Sequence, residues 1–193
     1  MRRAATTRRQ ALAAGGSGAL AAAGALAWSD AHAAPSAART QDALTFLLAV
    51  QRVEADFYAG AVRAGALRGK LAAFASAAAD HERRHAAFLE RALGGAAPDA
   101  QPLDLPGELV RQPGRFALAA VRLEDLVVGA FNGQAANLGP QALAQVATVA
   151  PVDARHAAWI RALVGMPPAP ATADGALTAR AVLDGLQREG LLG

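Results

Sequence analysis

Glu82-Arg83-Arg84-His85-Ala86-Ala87-Phe88-Leu89 and Asp153-Ala154-Arg155-His156-Ala157-Ala158-Trp159-Ile160 are two copies of one pattern. Each has an acid, a histidine three positions on, two alanines, an aromatic and an aliphatic residue. Positions three apart share a helix face, so each copy presents a carboxylate and an imidazole to one point. Upstream of each stands a second repeated piece, Arg52-Val53-Glu54 before the first and Arg122-Leu123-Glu124 before the second. Glu54 precedes Glu82 by 28 positions and Glu124 precedes Asp153 by 29, so the spacing inside the repeat is kept too.

Working outward, the apolar residues around these pieces recur at three and four, the period of an amphipathic helix. Leu44, Leu47, Leu48, Val50, Val53, Phe57 and Ala61 predict a helix over 42–64 with Asp42 as its cap. Leu71, Phe74, Ala78, His85, Phe88, Leu89 and Ala92 predict a second over 69–93, stopped by Gly94-Gly95. Gly65 and Gly69 separate the two, which should form a hairpin. Phe116, Leu118, Val121, Leu123, Val127, Val128 and Phe131 predict a third over 115–137, and Pro140 opens a fourth over 140–164.

Between the second and third helices lie Pro98, Pro102, Pro106 and Pro113, which no regular helix tolerates. At ~3.3 Å per residue such a connection of about 20 residues outreaches a helix ~37 Å long, so the chain can return along the whole bundle. After Pro167, Pro168 and Pro170, a short fifth helix is expected between Leu177 and Leu192. The fold class is therefore all-α: a four-helix bundle of two hairpins joined by a long crossover, with a short C-terminal helix. The expected organisation is a leader over 1–34, the bundle over 40–165, and a Pro-rich linker and helix over 166–193.

Composition agrees and excludes much else. Of 193 residues, 55 are Ala while aromatics make up 5%, which argues against an all-β fold. With no Cys there is no disulfide framework, thiolate metal site or thiol nucleophile. The net charge of +3 sits wholly in residues 1–34, where Arg2, Arg3, Arg8 and Arg9 face Asp30; residues 35–193 carry 15 basic and 15 acidic groups. A neutral body gives no support to nucleic-acid binding. The leader, Thr6-Thr7-Arg8-Arg9-Gln10-Ala11-Leu12 with the charge-free run Ala11–Ser29 and Ala31-His32-Ala33, resembles a twin-arginine export signal with a small-x-small cleavage site. It implies the twin-arginine machinery as a partner, a periplasmic or extracellular location, and no membrane association after cleavage; an uncleaved anchor is the alternative.

Glu54, Glu82, His85, Glu124, Asp153 and His156, projecting from four helices into one core, make four carboxylates and two imidazoles, the ligand set of a dinuclear metal site. Four buried carboxylates repel one another in an empty core, whereas two divalent ions bring them to neutrality. Oxygen and imidazole donors favour iron or manganese; zinc, which prefers a closed tetrahedron, is disfavoured.

At these residues the chain resembles the ferritin-like superfamily of di-iron and di-manganese carboxylate proteins, and most of all its exported, desiccation-related members. The resemblance covers about 40–165 and rests on helix-borne Glu, Glu-x-x-His, Glu, Glu-x-x-His in that order. It implies redox chemistry with oxygen or peroxide, or stress protection; homo-oligomers are compatible with it, while a self-assembling iron-storage cage is disfavoured by the export signal and extra tail. Two departures bear on the second metal position: Asp153 stands where glutamate is usual, and Pro151 falls inside the fourth helix, where it invites a kink.

Other readings compete at single positions. Tyr58, four after Glu54, is expected in ordinary core packing, with a hydrogen bond into the site as the alternative. Arg52 and Arg122 suit surface ion pairs. His81-Glu82-Arg83-Arg84-His85 satisfies the H-E-x-x-H signature of zinc proteases. The repeat argues against that, because Val152 occupies the position equivalent to His81; His81 is expected to flank the site. The alternative to a metal centre is a metal-free bundle of the cell envelope serving structure or partner binding.

Overall fold

The computed structural model describes residues 35–101, 103 and 105–192, so the expected export leader lies outside the described residues. All regular structure among the described residues is helical. Helix α1, Ala37–Ala64, begins five residues earlier than expected, because Ser36 rather than Asp42 caps it, accepting from the Arg39 amide at 3.2 Å. It ends at Gly65, whose φ of 61° is the left-handed C-cap conformation. Helix α2, Gly69–Leu93, returns antiparallel and packs along α1.

The crossover carries one unexpected turn of helix, α3, Gly107–Arg111, which seats Val110 against α1. Arg52 secures the start of this connection: it pairs with Glu90 at 2.8 Å and donates to the carbonyls of Pro98 and Asp99. Helix α4, Pro113–Gln134, opens on its proline, and Leu118, expected among its apolar positions, is exposed.

The fourth predicted helix is two. Helix α5 is Pro140–Val146 and α6 is Ala150–Leu163, separated by a turn at 147–149. The predicted kink is a break, for a physical reason. Pro151 has no N–H and its ring collides with the carbonyl four residues back, so the chain stops and restarts with Pro151 in the first turn of α6.

Packing of α1 on α2, α4 on α6, α1 on α4 and α2 on α6 closes the bundle. Leu47, Leu48, Leu89, Leu123 and Ile160 fill the core, and a plug of stacked and T-shaped aromatics, Phe57, Tyr58, Phe74 and Phe116, fills the level beside the repeated acids. Helix α7, Ala179–Arg188, capped by Thr178, lies on the outside of α4. Its approach depends on glycine: Leu177 donates its N–H to the Gly129 carbonyl at 2.8 Å and sets its own carbonyl where a Cβ on Gly133 would sit. Arg122 of the repeat pairs with Glu189 just beyond α7. No helix among the described residues is long and apolar enough to cross a membrane.

Candidate metal centre

Helix α1 supplies Glu54, α2 supplies Glu82 and His85, α4 supplies Glu124, and α6 supplies Asp153 and His156. All four carboxylates are 0% exposed, His156 is 3% exposed and His85 is half-buried. Glu82 stands at the centre. Its Oε2 accepts from His85 Nδ1 at 2.8 Å, and its Oε1 lies 2.8 Å from His156 Nδ1. Ligand atoms of Glu82, His85 and Asp153 form one group, those of Glu82, Glu124 and His156 another, each within 4.8 Å of one another.

Each of the two groups is compatible with one metal ion, with Glu82 common to both. Asp153 belongs to the first alone: its Oδ1 lies 3.3 Å from His85 Nδ1 and its Oδ2 accepts from Gln51 Nε2 at 3.2 Å. Neither of its oxygens joins the second group. Glu54 joins neither group directly; Gln51 ties its Oε2, at 2.7 Å, to Asp153 through the same amide nitrogen.

Among the described residues, the buried side-chain atoms without a hydrogen-bond partner are Gln51 Oε1, Glu54 Oε1, Glu82 Oε1, Glu124 Oε2, Asp153 Oδ1 and His156 Nδ1. All belong to this cluster. Glu82 Oε1 and His156 Nδ1, close as they are, stand off the line that a hydrogen bond needs. Buried polar atoms are otherwise almost always paired. Buried oxygen and nitrogen atoms that converge without hydrogen-bond partners suit cations, so the residues present fit a pair of metal ions.

Electrostatics of the metal-free chain point the same way. Burial, then the charges of Glu82, Glu124 and Asp153, holds the Glu54 carboxyl well above its ordinary range. Burial and the charges of Glu82 and Asp153 raise Glu124 against the opposing Tyr58 hydrogen bond, and Asp153 is pushed up to about 6, burial outweighing the nearby His85. Glu82 differs. Its burial is overcome by the imidazoles of His156 and His85, and its carboxyl is held below the ordinary value. Burial disfavours charge on His85, but Asp153 and Glu82 outweigh it and raise His85 to about 9.

Residues 39–166 match the family described as Ferritin-like domain. The chain belongs to that family. No curated protein matches it. In this ferritin-like chain the acids and histidines spaced along four helices are gathered in one part of the core, and five of the six fall into the two candidate groups.

Three further residues complete the cluster. Tyr58, expected in plain packing, is fully buried among the aromatics and also donates its hydroxyl to Glu124 Oε1 at 2.5 Å. His81 joins neither ligand group; its Nδ1 lies 2.9 Å from His156 Nε2, which leaves the zinc-protease arrangement of His81 and His85 on one ion without geometric support. Gln51 was missed. Its signal was available: Gln51, Glu54 and Tyr58 form a polar row at three and four inside an otherwise apolar helix face.

Proposed function

We propose that this ferritin-like protein binds two transition-metal ions, iron or manganese, side by side in its bundle and uses them in redox chemistry with oxygen or peroxide. The first position is formed by Glu82, His85 and Asp153 with Glu54 beside them, the second by Glu82, Glu124 and His156. The observation that carries this reading is the central Glu82, which offers one oxygen to each position. When bound, such ions supply one-electron chemistry that these side chains lack. The chain's own part is to hold the donors: Gln51 orients Glu54 and Asp153, Tyr58 keeps a proton against Glu124, and the surrounding aromatic rings pack Tyr58 in place.

Elemental analysis of protein purified from its native compartment, paired with an oxygen and peroxide turnover assay, tests the proposal. About two ions per chain and turnover are expected. No metal under any loading condition would overturn it and leave the metal-free envelope bundle.

We also infer export by the twin-arginine route, supported by Arg8-Arg9 and the weakly apolar run behind them. Cell fractionation of an Arg8→Lys, Arg9→Lys variant should find the protein retained in the cytoplasm; normal export would overturn this.

A further inference from the structure

The repeat is broken at three positions around its ligand set, each time with the polar residue in the first hairpin. Gln51, Tyr58 and His81 of the first hairpin correspond to Val121, Val128 and Val152 of the second. Each of the three polar residues reaches across the bundle to a different candidate ligand of the second hairpin: Gln51 to Asp153, Tyr58 to Glu124 and His81 to His156. The second hairpin returns nothing equivalent.

His81 is the sharpest case. The two imidazoles lie nearly coplanar, 15° apart, with His81 Nδ1 at 2.9 Å from His156 Nε2 and His81 itself exposed. For a neutral pair of imidazoles, two proton arrangements fit that contact. In one, His156 carries its proton on Nε2 and donates it to His81, leaving the Nδ1 lone pair free. In the other, His81 donates and the neutral His156 carries its proton on Nδ1, which then needs an acceptor. The nearest oxygen, Glu82 Oε1, is off line for a hydrogen bond, and His156 Nδ1 is buried without a partner. Only the first arrangement leaves the Nδ1 lone pair available to an ion between His156 and Glu82.

We propose that His81 is the positioning residue of the second metal position, accepting the Nε2 proton of His156 so that its Nδ1 lone pair faces Glu82 and Glu124. This rests on the two-metal reading above. Metal-ligating histidines regularly hand their other ring N–H to an acceptor that fixes tautomer and orientation, and losing that acceptor typically costs ~10- to 100-fold in metal affinity. Here the acceptor is a second histidine, and it explains the leading residue of the H-E-x-x-H match without a protease. His85 lacks such a partner, because Val152 stands at the equivalent place, so the two positions are unequal by construction.

The test has one arm without metal and one with it. Long-range proton–nitrogen NMR of the metal-free, histidine-labelled protein should find His156 protonated on Nε2; protonation on Nδ1 would overturn the proposal whether or not any ion binds. Titration with Co²⁺, followed by its visible absorption, should show the second equivalent weakened ~10- to 100-fold in His81→Phe and largely restored in His81→Gln, which keeps an acceptor, with the first equivalent unchanged. Equal weakening of both equivalents, or none, would overturn it. A parent that binds no Co²⁺ would defeat the two-metal reading, while the NMR arm would still decide the role of His81.

Discussion

The Tyr58 hydroxyl meets Glu124 Oε1 at 2.5 Å across the bundle, joining the first hairpin to the second inside the core. Burial and then the charges of Glu124 and Glu54 hold Tyr58 well above its ordinary pKa, so it remains a donor at every physiological pH. Tyr58→Phe removes one donor from a buried carboxyl. Because burial keeps the Glu124 carboxyl protonated well above its ordinary range, the contact has the worth of a neutral hydrogen bond, about 0.5–1.5 kcal/mol, and metal-free Tyr58→Phe should lose about that much in denaturant unfolding. An unchanged midpoint would show that the Tyr58–Glu124 contact adds nothing to the stability of the metal-free chain.

Glu82 is the only candidate ligand common to both groups. Glu82→Ala should therefore abolish binding at both positions, whereas His85→Ala and His156→Ala should each remove about one ion per chain. Metal content measured after dialysis separates the cases. Equal loss from all three variants would mean that the positions bind as one unit.

Stability of the metal-free chain should fall as pH rises. Asp153, pushed up to about 6 by burial, holds its proton more tightly folded than unfolded, so its contribution is lost as pH climbs from about 4 through 6. His85, raised to about 9, contributes fully below its ordinary value near 6.5 and loses that contribution as pH passes 9. Glu82, held below its ordinary value, acts oppositely but only in acid. Thermal melts from pH 5 to 9 should show a falling midpoint without metal and a flatter profile with Mn²⁺, because ions replace the protons that the carboxylates lose. A metal-free midpoint that rises over this range would contradict the picture.

The C-terminal segment is seated by glycine. A Cβ on Gly133 would lie 1.8 Å from the Leu177 carbonyl oxygen, which is backbone and cannot swing aside. Gly133→Ala should lift residues 175–178 off α4 and cost about 1–3 kcal/mol, the usual range for overpacking. Limited proteolysis should then cut near the Pro-rich linker faster than in the parent, and an unaltered digestion pattern would show that the segment tolerates displacement.

Helix content, the two hairpins and the six candidate ligands were legible in the sequence, because each rests on local information: a period of three to four, a glycine or proline at an end, an acid and a histidine sharing a face. Local rules also gave warning at Pro151, but whether a proline bends a helix or ends it depends on the packing around it, and here the turn at 147–149 buries Val149 and places Asp153 in a first helical turn. Which partners the outer residues meet was decided by tertiary structure. Tyr58 and Glu124 are 66 positions apart, His81 and His156 75, Gln51 and Asp153 102. No periodicity links positions so distant; only the antiparallel return of the second hairpin brings each donor or acceptor to its partner. The chain's local pattern thus chose the atoms that meet in the core, and the packing of one hairpin on the other decided how those atoms are held.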